Sequence, residues 1–159
     1  MHGLDIYRDT RSRSAGMTMN DSNQLQVLQN SVNRLITGAR YGVATAVLLN
    51  STNTLLVQLM VAYYTIIMVH KITMTGKPTY LAGRLKLRQE DERELRGWGG
   101  RTVDIPGYSL ETSRAGFVYR GGRLYNSVSR SLREEMSISK FKKGAKKWVK
   151  EQIPIKPGS

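Results

Sequence analysis

TLLVQLMVAYYTIIMVHKITM, residues 54–74, is the stretch on which the fold turns. Leu56, Leu59, Met60, Tyr63, Ile66 and Ile67 recur at spacings of three and four, the period of one face of an α-helix. Leu55, Val57 and Ala62 widen that face, so a helix over 54–74 is expected to be the centre of a core. The run Tyr41 to His70 holds no Lys, Arg, Asp or Glu and therefore raises the question of a membrane. A spanning helix needs roughly 20 mostly apolar residues. Asn50-Ser51-Thr52-Asn53 divides this run, and Gln58, Thr65 and His70 fall within the second piece or at its end, which favours a buried helix over a lipid span. Tyr63 and Tyr64 read as core aromatics, and His70 as a polar residue at a helix end.

Upstream, Leu25, Leu28, Val32, Leu35 and Ile36 form another helical stripe, with Asp21 or Ser22 as cap and Gly38 as stop. Arg34 and Arg40 flank its end as solvated residues. Downstream, Thr75-Gly76-Lys77-Pro78 stops the central helix, and Pro78 to Gly83 restarts a short one. Gly76-Lys77 lacks the upstream glycine and the following Ser or Thr of a phosphate-binding loop. Between 84 and 116, Gly97-Trp98-Gly99-Gly100 and Ile105-Pro106-Gly107 break regular structure. Glu90, Asp91, Glu92 and Glu94 interleave with Arg88, Arg93 and Arg96 as a salt-bridged face, so this segment is expected to be exposed and to contribute nothing to a core.

The C-terminal part carries a different signal. Ile138, Phe141, Ala145, Trp148 and Val149 make an apolar helical stripe behind a Ser137 cap, and Lys140, Lys142, Lys143, Lys146, Lys147 and Lys150 fall mostly off it. The expected fold is thus mainly α, a small helical bundle with helices at about 21–38, 43–49, 54–74 and 137–151. Its segments are a disordered basic leader (1–20), a helical core (21–87), an exposed irregular connector (88–116) and a basic C-terminal segment (117–159).

The 159 residues carry a formal net charge of +13, with 25 Lys and Arg against 12 Asp and Glu. Residues 81–159 contribute +9 of this, so the basic character sits in the second half, as for a protein that meets a polyanion. No cysteine is present, which excludes disulfides and thiolate metal sites, and two histidines leave little material for a metal centre or a catalytic dyad. No cofactor is expected. The start of the chain lacks the apolar run of a secretory signal, so the expected location is nuclear or cytoplasmic.

Read in order, Leu25 to Arg40, Lys71 to Leu81, Phe117-Val118-Tyr119-Arg120-Gly121, Tyr125-Asn126-Ser127, Arg133, Phe141-Lys142, Lys146 and Trp148 resemble the region just past the polymerase core in jockey-like non-LTR (LINE-type) retrotransposon polyproteins. The resemblance covers about residues 21–156. Tyr125 stands where that family often has Trp, and Val128-Ser129 where it has Leu-Pro. The polymerases of such proteins use a paired-aspartate turn to hold two metal ions, and this sequence contains no adjacent Asp pair. The resemblance therefore implies a non-catalytic post-polymerase segment of a reverse transcriptase.

The functional expectation is binding to RNA or DNA backbone, without sequence preference, through Arg120, Arg123, Lys140, Lys142, Lys143, Lys146, Lys147 and Lys150. The polymerase part of a parent polyprotein is the second partner that the resemblance implies. Two rivals are a membrane-associated protein, with residues 55–69 inserted and the lysine helix on anionic lipid, and an open reading frame without selected function.

Overall fold

The computed structural model describes residues 19–88, 101–105, 107 and 116–152. Its helices follow the order α1 (Met19–Thr37), α2 (Thr45–Thr52), α3 (Val57–Thr75), α4 (Thr79–Ala82), α5 (Phe117–Ser127), α6 (Arg130–Arg133) and α7 (Ile138–Gln152). The fold is mainly α, and all four helices expected from periodicity are present. The leader over 1–18, the charged run Gln89 to Arg96, Trp98 and the residues after Gln152 lie outside the described residues.

Helix ends follow local chemistry, with small displacements from the expected bounds. Gly38 at φ 68° follows α1 and Gly76 at φ 67° closes α3, where the Gly76 N–H donates to the Ile72 carbonyl at 2.8 Å. Both positions use the left-handed region that glycine enters without a Cβ penalty. α1 begins at Met19, so Asp21 and Ser22 sit inside its first turn and do not cap it. Asn50, Ser51 and Thr52 belong to α2, and the interruption falls at Asn53, which takes φ 51° as the closing residue. An asparagine tolerates this conformation better than most side chains.

α3 is the central element, as its period suggested. Leu59, Ala62, Ile66, Ile67, Val69, His70 and Ile72 are buried, while Leu56, Met60 and Tyr63 pack partly buried against the same core. α5, absent from the expected helices, lies against α3 through a glycine. A Cβ at Gly121 would stand 3.1 Å from Cγ2 of Val69 and 3.4 Å from Cγ2 of Thr65, so the missing side chain sets how closely the two helices approach. Val118, Leu124 and Tyr125 complete the buried side of α5.

Two expectations are corrected. The connector over 88–116 was expected to stay out of the core, yet Thr102 and Val103 are buried, beside Leu85 at the end of the expected helical core. Leu87 and Val103 form an antiparallel bridge, in which the Arg88 N–H donates to the Thr102 carbonyl at 2.7 Å and the Asp104 N–H to the Lys86 carbonyl at 2.8 Å. The side chain of Asn126 then clasps Val103, accepting from its N–H at 2.8 Å and donating to its carbonyl at 2.9 Å. Arg133, itself buried, donates to the carbonyls of Val128 and Arg101 and to Oγ1 of Thr102. A short extended piece thus enters the core because side chains satisfy the backbone groups that a strand partner would otherwise take.

The second correction concerns α1. Its apolar stripe points to solvent: Leu28 is 62% exposed, Val32 55% and Leu35 85%. The helix docks through its polar side instead. Gln29 donates to the Leu55 carbonyl at 2.8 Å, Asn30 to Thr45 Oγ1 at 3.0 Å and Asn33 to Thr54 Oγ1 at 3.3 Å, while Gln26 accepts from the Val57 N–H at 2.9 Å. The accepted N–H belongs to the first turn of α3, where no helical partner exists.

Candidate nucleic-acid interface

The lysine helix α7 owes its orientation to its apolar face. Phe141, Ala145 and Val149 are fully buried, at spacings of four. At its start the Lys140 N–H meets Ser137 Oγ at 3.5 Å, the expected cap, and Glu135 Oε1 accepts from the Ser137 N–H at 2.9 Å. Ahead of it the Val128-Ser129 turn is firmly set, with Val128 buried and the Arg133 N–H bonded to the Ser129 carbonyl. A Cβ at Gly144 would overlap Leu132, so this glycine lets α6 lie directly on α7.

Under α7 sits a residue whose role the sequence pattern did not suggest. His70 is not a polar helix-end residue; it is wholly buried and its ring stacks on Phe141, with centroids 3.7 Å apart and planes 3° apart. Nε2 lies 3.1 Å from the Glu135 carbonyl and Nδ1 lies 3.0 Å from the Tyr125 hydroxyl. A carbonyl can only accept, so Nε2 carries the proton and Nδ1 accepts from Tyr125. Burial pulls the His70 pKa below its ordinary value and raises that of Tyr125. The signal was present: His70 stands four residues after Ile66 and three after Ile67, on the buried face.

With one side of α7 fixed, the other displays its charges. Lys140, Lys142, Lys143, Lys147 and Lys150 are exposed and Lys146 is half-buried. Lys143, Lys146, Lys147 and Lys150, with Glu151, line a shallow open groove of about 730 Å³. Lys146 Nζ donates to the Asn53 carbonyl at 3.1 Å and Lys150 Nζ meets Asn53 Oδ1 at 3.4 Å. These two lysines lie at the C-terminal end of α2, where the helix dipole favours cations. Lys147 lies 4.0 Å from Glu151, and both groups are largely exposed.

Comparison with protein-family models, with curated proteins and with solved structures gives no match for this chain. Arg120 and Arg123 are half-buried on α5 and do not line the lysine groove. The Arg123 guanidinium lies 5.6 Å from the centroid of the Tyr119 ring. Asn126, Arg133 and Phe141, which help to carry the sequence resemblance, each make a contact that holds the fold together. Among the described residues no group of three or more His, Asp or Glu side chains could hold a metal ion.

The central helix also bears on the membrane question. α3 spans 19 residues and is long and apolar enough to cross a bilayer by length and composition. One of its faces is taken up by α5 and α7, through Gly121 and Phe141.

Proposed function

We propose that this chain is a small helical module that binds RNA or DNA backbone without sequence preference, and that it derives from the post-polymerase region of a retroelement reverse transcriptase. The observation that carries the binding is the groove on α7 where Lys143, Lys146, Lys147 and Lys150 converge on one firmly seated helix. Ammonium groups at helical spacing meet successive phosphates as point charges, and each contact releases condensed counterions. Lys140 and Lys142 extend the same helix toward its start, and Arg120 and Arg123 add charge from α5. No reaction is assigned to the module.

Fluorescence anisotropy with labelled single- and double-stranded oligonucleotides tests this reading. Affinity is expected to fall steeply with salt, log K declining by about 0.7 to 0.9 per phosphate contact for each unit of log salt. Binding that is absent at low salt, or insensitive to salt, removes the proposal.

A second reading rests on α3. Its length and composition suit a bilayer, and a basic amphipathic helix suits an anionic lipid surface. Flotation with vesicles containing phosphatidylserine separates the two, because the nucleic-acid reading expects the protein to stay with the soluble fraction when oligonucleotide competes.

A further inference from the structure

The exposed face of α1 has the pattern of a helix seam. Leu25, Leu28, Val32 and Leu35 follow one another at spacings of three, four and three, the a and d positions of two heptads, with Leu at both d positions and β-branched Val32 at one a position. Their exposures range from 44% at Leu25 to 85% at Leu35. The helix cannot roll to hide them without giving up the hydrogen bonds of Gln26, Gln29, Asn30 and Asn33 to α2, α3 and the residues between them. Polar residues therefore fix α1 to the bundle while its seam stays unfilled.

We propose that a second copy of this chain covers this seam, α1 pairing with α1 in antiparallel orientation about a two-fold axis. One register satisfies the whole seam: Leu25 packs against Leu35 of the second copy and Leu28 against Val32 of the second copy. The same register brings Asp21, at one end of α1, beside the exposed Arg40 of the second copy, and opposes the two helix dipoles. A parallel pair would place like charges together. Shape agrees with charge. An apolar groove of about 650 Å³ opens beside Leu25 and Gln29, lined on its far side by Met60, Tyr64, Met68 and Phe117 of α3 and α5. Ile36, 70% exposed at the e position next to Leu35, comes from the second copy toward that groove. Each copy supplies both the groove and the residue that enters it, as an isologous contact requires.

Sedimentation equilibrium of the full chain tests the proposal. The expected mass at micromolar concentration is twice 17.9 kDa. Leu28→Glu, a change at an exposed position, is expected to weaken the dimer by about a hundredfold or more, because the carboxylate would be buried without a partner, and to leave the helical circular dichroism unchanged. Val32→Lys should do the same. Combining the two restores the dimer only in the antiparallel register, where the introduced carboxylate of one copy meets the introduced ammonium of the other. A chain that is monomeric at every concentration overturns the proposal, as does a Leu28→Glu chain that dimerises as tightly as the original. A double variant that stays monomeric overturns the antiparallel register. A monomer whose α1 face instead carries it onto uncharged phosphatidylcholine vesicles overturns it in favour of lipid.

Discussion

His70 shows how much a single side chain decides in this protein. It is the only polar residue on the buried face of α3 between Ile66 and Ile72, and it joins three elements through Phe141, Tyr125 and the Glu135 carbonyl. Because burial lowers its folded pKa, the neutral ring is what the fold accommodates. The unfolded chain then binds the proton more readily, so stability is full above about pH 6.5 and is lost as pH falls below it. Thermal melts between about pH 7.5 and 5.5, where carboxylates stay ionised, are expected to show Tm falling with pH. His70→Gln keeps a donor and an acceptor and should flatten that dependence. Asn126 is the second such residue. Asn126→Ala strands the buried N–H and carbonyl of Val103, and urea unfolding is expected to show a loss of about 2 to 4 kcal/mol. Neither role could be read from residue type alone, since both depend on which backbone groups come within reach.

At the scale of elements, α7 was legible and α5 was not. The stripe of α7 gave both its helix and its buried side, and Phe141, Ala145 and Val149 take up the expected places. Phe141→Ala removes the ring that stacks on His70 and should cost about 3 to 5 kcal/mol in the same unfolding measurement. The opposite face can be changed without that penalty. Lys143→Ser and Lys147→Ser, both at exposed positions, are expected to leave Tm nearly unchanged while each lowers the slope of log K against log salt by about one unit. The centre of α5 is a glycine pair, which lowers intrinsic helix propensity. Packing outweighs that cost, since Gly121 fits where Val69 and Thr65 leave no room for a side chain.

For the whole molecule, charge and apolar surface pull against each other. A net charge of +13 on 159 residues makes copies of the chain repel, whereas the uncharged α1 seam draws them together. Added salt is therefore expected to strengthen the dimer by screening that repulsion and to weaken nucleic-acid binding by counterion competition. Sedimentation and anisotropy across one salt series read the two trends side by side.

The sequence by itself determined the helical class, the central place of α3, the stops at Gly38 and Gly76, and the basic face of α7. Those features follow from periodicity and from backbone preferences, which act within a few residues. Tertiary structure alone decided that Val103 enters the core, that His70 lies beneath α7, and that the apolar side of α1 faces outward. Periodicity identifies an apolar face but carries no information about what covers it. In α1 the polar face satisfies the Val57 N–H and the Leu55 carbonyl, groups at the start of α3 that needed partners, and the leucines opposite were left for another surface.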